Sequence, residues 1–134
     1  QALALNDPHR SVRQAAVARI TDQAILESLA RSADPNVRVL AVGKLTNQNV
    51  LSDIARNDPI SAVRIAALEW VEIADALNLI AREDADPAVR LAAVRKVTNL
   101  EILEAAAQDP DREVSAEARL RKEFLQDKAP LAQP

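Results

Sequence analysis

The chain has 134 residues and lacks cysteine, methionine and tyrosine, and it contains only one residue each of glycine, histidine, phenylalanine and tryptophan. Without cysteine it can form neither disulfides nor thiolate metal sites, which suits a reducing compartment. One glycine cannot build a glycine-rich phosphate loop. No stretch approaches the ~20 apolar residues of a membrane span, and no signal peptide is visible. We therefore expect a cytoplasmic protein.

A Val-Arg pair recurs along the chain at a nearly constant step. It stands at Val12-Arg13, Val37-Arg38, Val63-Arg64 and Val89-Arg90, with a fifth copy altered to Val114-Ser115. The steps are 25, 26, 26 and 25 residues. A period of this size is typical of a solenoid, whose units bury their apolar faces only by stacking on one another.

Apolar residues surround each of these valines at helical spacing. Alanine follows four residues later in every copy, at Ala16, Ala41, Ala67, Ala93 and Ala118. Eight residues after the valine stand Ile20, Leu45, Val71 and Val97, whereas the last copy has Lys122. Such spacing predicts one buried helical stripe in each unit, which we name helix B.

A second apolar set precedes each helix B and predicts a partner helix, which we name helix A. Its members are Leu26, Leu29 and Ala30; Leu51, Ile54 and Ala55; Leu77, Ile80 and Ala81; and Leu103, Ala106 and Ala107. The spacing i, i+3, i+4 is again helical. The predicted fold is all-α, a right-handed α-solenoid of about five short helical hairpins.

Polar and proline-containing pairs separate the predicted helices. Thr21-Asp22, Thr46-Asn47 and Thr98-Asn99 precede A helices, where side-chain oxygens can cap the helix start, and Thr98 with Glu101 has the spacing of a capping box. Asp-Pro pairs separate A from B, where proline fits a turn or a first helical turn. Glu72-Ile73 replace the polar cap in one unit, so its helix B is expected to run on or to turn differently.

The repeat pattern sets the expected domain boundaries. Leu3-Ala4 aligns with Leu29-Ala30, so the first unit lacks the earlier part of its helix A, and we expect a piece of a longer or trimmed protein. Residues 1–126 form the predicted repeat domain, whose last helix is a cap. Residues 127–134 abandon the pattern and are expected to be a disordered tail or a linker.

The pattern Asp-Pro…Val-Arg-x-x-Ala resembles the second-helix signature of HEAT repeats over residues 3–122. The period is shorter than is typical of HEAT repeats, and the leucine-rich repeat variant is similar in pattern, although its iron–sulfur site needs cysteines that are absent here. In HEAT repeats, an aspartate and an arginine of successive units form a ladder of ion pairs. The resemblance implies that structural role for Asp7, Arg13, Asp58, Arg64, Asp84 and Arg90.

Two units depart from the ladder pattern. Ser32 stands six residues before Arg38, where the other units have aspartate, and Ser115 replaces the arginine expected to meet Asp109. We expect the ladder to be interrupted at both places.

One exposed column of the repeat carries the binding hypothesis. Seven residues after each valine stand Arg19, Lys44, Trp70, Lys96 and Arg121. This column borders the buried stripe of helix B. In HEAT-like solenoids the B helices form the concave surface, which is the usual binding surface of solenoids. We expect these five residues to bind a protein or peptide of acidic and apolar character, with Trp70 partly exposed at the centre.

Other interpretations of the same residues stay open. Lysine and arginine on an exposed face often only solubilise it, Trp70 could pack against the next unit, and the array could be a structural spacer. DNA binding, as in the HEAT-like alkylpurine DNA glycosylases, is a second alternative, but the net charge of −3 makes a nucleic-acid partner unlikely. His9 lies in a turn, far in sequence from any activated serine. We therefore expect no enzyme, no cofactor and no metal.

Overall fold

The computed structural model of the chain describes residues 10–131, with side chains at 12 and 14–127. Over these residues the chain is α-helical and contains no strand, which confirms the all-α prediction. The chain divides into two compact units, of which the first ends at Val71 and the second begins at Glu72. A single repeat domain over residues 1–126 stays a prediction.

The first unit contains five helices within its described part. They are α1 (Arg10–Ala18), α2 (Gln23–Leu29), α3 (Pro35–Val42), α4 (Gln48–Asn57) and α5 (Ser61–Leu68). The predicted B helices α1, α3 and α5 pack side by side in chain order, while α2 packs on α3 and α4 packs on α5. Two predicted hairpins of this unit, α2 with α3 and α4 with α5, thus form within the described residues, and successive B helices contact one another.

The second unit consists of two hairpins. Its helices are α6 (Ala74–Glu83), α7 (Pro87–Val94), α8 (Leu100–Ala106) and α9 (Arg112–Leu131). The pairs α6 with α7 and α8 with α9 form the hairpins, and they contact each other through α6 with α8 and α7 with α9. Helix α9 runs past residue 126, where the sequence placed the domain boundary, and residues 132–134 lie outside the described part.

The apolar stripes of the sequence form the core. The repeated valines at 37, 63, 89 and 114 are at most 2% exposed, and the alanines four residues later at 41, 67, 93 and 118 are fully buried. All twelve residues of the predicted helix A set are buried as well. In α1 the repeated valine, Val12, is instead 40% exposed. Outside α1, the 3.6-residue period therefore identified the buried faces of both helix types.

Three helix A starts are capped by the second residue of the predicted Thr-Asp and Thr-Asn pairs. The capping side chains are Asp22, Asn47 and Asn99, each accepting from two backbone N–H groups of the first turn. Asn99, for example, accepts from Glu101 N at 2.9 Å. The N-cap of α8 is thus Asn99, one residue after Thr98, and the capping box predicted for Thr98 and Glu101 is wrong.

The unit without a polar cap keeps the geometry of its neighbours. Trp70 N donates to Ala67 O at 3.0 Å, as Lys44 N donates to Ala41 O at 3.0 Å, and α5 ends at Leu68 without running on. Ile73 takes the N-cap position of α6 with an extended backbone and no side-chain cap. Helix α5 therefore does not run on, and the extension predicted for this helix B is absent.

Arginines of the B helices hold the next hairpin through an aspartate. Arg38 donates from Nε to Asp58 Oδ2 at 2.8 Å and from Nη2 to Asp58 Oδ1 at 3.1 Å. In the second unit, Arg90 binds Asp109 with the same two distances. The four side chains are only 6–13% exposed. Paired, bidentate geometry at this burial makes the ladder a structural feature.

Each of these arginines also donates a hydrogen bond to a backbone carbonyl of its own hairpin. Arg38 Nη1 donates to Ser32 O at 2.9 Å, Arg64 Nη1 to Asp58 O at 2.8 Å, and Arg90 Nη1 to Asp84 O at 2.8 Å. The acceptor six residues before the arginine is thus a backbone carbonyl, which every residue type supplies. The uncharged side chain of Ser32 therefore does not weaken the bonding of Arg38, and the interruption predicted there is wrong.

Asp109 is also paired, because its partner arginine comes from the preceding hairpin. Burial acts to raise the pKa of Asp109, but hydrogen bonds from Arg90 and from the backbone N–H of Asp111 outweigh it and lower that pKa. The hydrogen bond to Asp109 raises the pKa of Arg90. Ser115 therefore leaves no aspartate unpaired here. Asp7 and the Arg13 side chain of the first predicted rung lie outside the described residues.

Candidate interaction surface

The five residues of the predicted binding column fall into both units. Arg19, Lys44 and Trp70 belong to the first unit, and Lys96 and Arg121 belong to the second. Trp70 is 48% exposed, as the sequence predicted. Arg19 is exposed as well, whereas the other three are half-buried. The column therefore contains residues in different environments.

Lys44 binds the end of the neighbouring B helix. Its Nζ donates to Ala18 O at 2.6 Å and to Val17 O at 3.3 Å. The last carbonyls of a helix lack partners within the helix and carry its negative dipole end, so a cation there is stabilising. Lys44 thus binds the backbone next to another column residue, because Ala18 directly precedes Arg19.

Arg121 plays the same part in the second unit. Its Nε donates to Val97 O, which lies just after α7 and next to Lys96. Lys96 also lines a depression of about 500 Å³ with Glu72, Asp75 and Asn78. Lys44 and Arg121 are therefore both bound to backbone carbonyls. The sequence missed this role because a recurring cation on an exposed face looks the same when it is only solvated.

A glutamine at the start of helix A fixes the backbone of the column. Gln23 Nε2 donates to Lys44 O at 3.1 Å, and Gln48 Nε2 donates to Trp70 O at 2.9 Å. Gln23 also accepts from Thr46 N at 3.1 Å. These equivalent bonds give Lys44 and Trp70 the same place in successive hairpins. The signal in the sequence is the glutamine that follows the cap residue in both, at positions 23 and 48.

Trp70 differs from its column neighbours in chemistry rather than in backbone position. Tryptophan has a large apolar ring and carries no positive charge. The helix end beside it, that of α3, accordingly receives no cation from this position. An aromatic ring that is half exposed on a well-packed helical framework is a typical anchor for a partner.

A shallow groove that the sequence did not indicate lies on the first unit at the turns between A and B helices. Its volume is about 370 Å³, and it is lined by Ala30, Arg31, Ser32, Arg38, Asp53, Ile54, Asn57, Asp58 and Pro59. Arg38 and Asp58 in its wall are bonded to each other. The charged groups deepest in the groove therefore serve the ladder.

Within the described residues, no group of three or more histidine, aspartate or glutamate side chains is arranged to hold a metal ion. None of the helices in that part of the chain is both long and apolar enough to cross a membrane. His9 lies outside the described part.

Comparisons with protein-family models, with curated proteins and with solved structures find no match for this chain.

Proposed function

We propose that this protein is a non-catalytic module that binds a protein or peptide segment along its B helices, with Trp70 as the central anchor. The observation that carries the proposal is the 48% exposure of Trp70. At this position the other hairpins have lysine or arginine. A tryptophan with half of its surface exposed is favourable when a partner buries it, because aromatic burial contributes strongly to binding.

The architecture proposed with this function is a right-handed α-solenoid of about five short HEAT-like hairpins. Its support is local and recurs within each unit. B helices pack beside B helices, and the bidentate arginine–aspartate pair joins successive hairpins in both units. A stack of this kind offers an extended surface that can bind a peptide.

The cations of the column support an acidic partner less strongly than the sequence suggested. Lys44 and Arg121 already bind carbonyl groups of the protein itself, so they are not free to neutralise a carboxylate of the partner. Arg19 is exposed and keeps that capacity. The apolar part of the proposed partner therefore has more support than its acidic part.

A selection from a random peptide library tests the proposal. Peptides are selected on the immobilised protein, and the affinity of each enriched peptide is then measured by calorimetry for the wild type and for Trp70→Lys. The lysine restores the residue class of the other hairpins, so circular dichroism and the unfolding midpoint should change little. The enriched peptides are expected to lose roughly tenfold or more in affinity, as for an interface anchor.

Arg56→Ala is the matched control, because Arg56 is an exposed residue of α4 outside the column. It should leave the affinities unchanged. Failure to enrich any peptide, or equal binding of enriched peptides to the wild type and to Trp70→Lys, would show that the column around Trp70 is not a binding surface.

A further inference from the structure

Lys44, which supplies a cation to the end of α1, has a tryptophan as its counterpart at the end of α3. At the end of α1, Lys44 Nζ lies 2.6 Å from Ala18 O and 3.3 Å from Val17 O. The corresponding carbonyls of α3 belong to Val42 and Gly43, and the corresponding side chain is Trp70. Gln23 and Gln48 hold the two backbones in the same way, so the difference lies in the side chain alone.

The only glycine of the chain stands at this helix end. Gly43 is the C-cap residue of α3, with a right-handed φ of −63° that any residue adopts. A Cβ there would meet Leu40 O at 3.7 Å and Val39 O at 3.9 Å, which are ordinary contacts. Neither backbone conformation nor packing requires this glycine. Its effect is to leave the backbone of the helix end open to close approach from outside.

The chemistry of the open helix end selects a positive charge. Its carbonyl groups carry the negative end of the α3 dipole, and the exposed face of the Trp70 indole attracts cations as well. We propose that the end of α3 beside Trp70 binds the arginine or lysine side chain of a partner peptide, which takes the place that Lys44 Nζ has at the end of α1. This inference rests on the proposed function and adds the chemistry of the partner.

The partner charge inferred here for the centre of the surface is positive, whereas the sequence pattern suggested a negative one. The acidic character predicted for the partner rested on the cations of the column. Lys44 is, however, bound to the very kind of carbonyl site that is left open at α3. A basic partner residue flanked by apolar ones would satisfy both the carbonyl groups and the exposed ring.

Three short peptides test the inference. Each is an acetylated and amidated pentapeptide with a central residue between two leucines, and the central residue is arginine, its neutral isostere citrulline, or glutamate. Two unique reporters follow binding, namely the fluorescence of Trp70, the only tryptophan, and the amide NMR signal of Gly43, the only glycine. The arginine peptide should bind roughly fivefold or more tightly than the citrulline peptide, and the glutamate peptide should bind most weakly.

Two variants locate the effect. Trp70→Lys supplies the missing cation from the protein itself, so the Gly43 signal should no longer distinguish arginine from citrulline. Trp70→Phe keeps an aromatic face without a charge, and the preference for arginine should persist. The Gly43 signal reports on both variants, which contain no tryptophan.

The outcomes separate this inference from the proposed function. Equal binding of the arginine and citrulline peptides, or a preference for glutamate, overturns the cation site while a peptide-binding surface at Trp70 stands. Absence of binding by all three peptides up to about 10 mM also overturns it, and the library selection then decides the proposed function independently.

Discussion

Arg38 holds Asp58 of the next hairpin by two parallel hydrogen bonds of 2.8 and 3.1 Å, while its third nitrogen binds the carbonyl of Ser32 in its own hairpin. One side chain thus ties together the two turns that join helices A and B. Both partners are at most 10% exposed. Loss of either partner would strand the other's charge in a nearly buried position.

Arg38→Ala is therefore expected to destabilise the protein by about 3–5 kcal/mol, the cost of leaving a buried charge unpaired. Arg31→Ala is the matched control, because Arg31 pairs with Asp53 at 3.9 Å with both side chains more than half exposed. That pair should contribute about 0–1 kcal/mol. Chemical denaturation of both variants measures the difference. Similar unfolding midpoints for the two variants would contradict the structural role of the ladder.

Asp109 gives the ladder a pH dependence. Its pKa lies below the ordinary value of 3.8 because of Arg90 and the Asp111 N–H. A lowered pKa in the folded state means that the contribution to stability is complete above the ordinary value and is lost as the pH falls through the folded-state value. The difference in unfolding free energy between the wild type and Asp109→Asn should be constant from about pH 5 upward and should shrink between about pH 4 and pH 2.

A difference between wild type and Asp109→Asn that grows on acidification would have the wrong sign for a paired carboxylate.

The N-cap of α5 offers a stabilising substitution. Ile60 takes this position without a side-chain cap, whereas Asp34 and Asp86 cap the equivalent helices α3 and α7. Ile60 is 41% exposed, so little apolar burial is at stake. Ile60→Asp should therefore be about 1 kcal/mol more stable than Ile60→Ala, which removes the same side chain without supplying an acceptor. Equal thermal midpoints for the two variants would mean that the cap is not formed.

The sequence predicted the features that depend on side-chain type and spacing. The predicted apolar stripes are buried as expected, at Val37, Ala41 and Leu45 and at Leu51, Ile54 and Ala55. Apolar residues at a helical period lie on one face of the helix, so they are buried together when that face packs. Exposure of Trp70 was predictable for the same reason, since its counterparts are charged.

The sequence did not reveal contacts in which the backbone is one partner. Ser32 looked like a defect because its side chain is uncharged, yet Arg38 uses its carbonyl oxygen. Lys44 looked like a free cation, yet it binds two carbonyls at the end of α1. Backbone acceptors are the same at every residue, so no pattern of residue types shows which of them a side chain will reach.

The most direct test of the central claim is the quenching of Trp70 fluorescence by acrylamide, with and without a peptide from the library selection. Trp70 is the only tryptophan and is 48% exposed in the free protein, so every quenching event reports on this one ring. If Trp70 is the anchor of the binding surface, saturating peptide should lower the quenching constant severalfold while the circular dichroism spectrum stays the same. An unchanged quenching constant at saturation would place the peptide elsewhere and contradict the account.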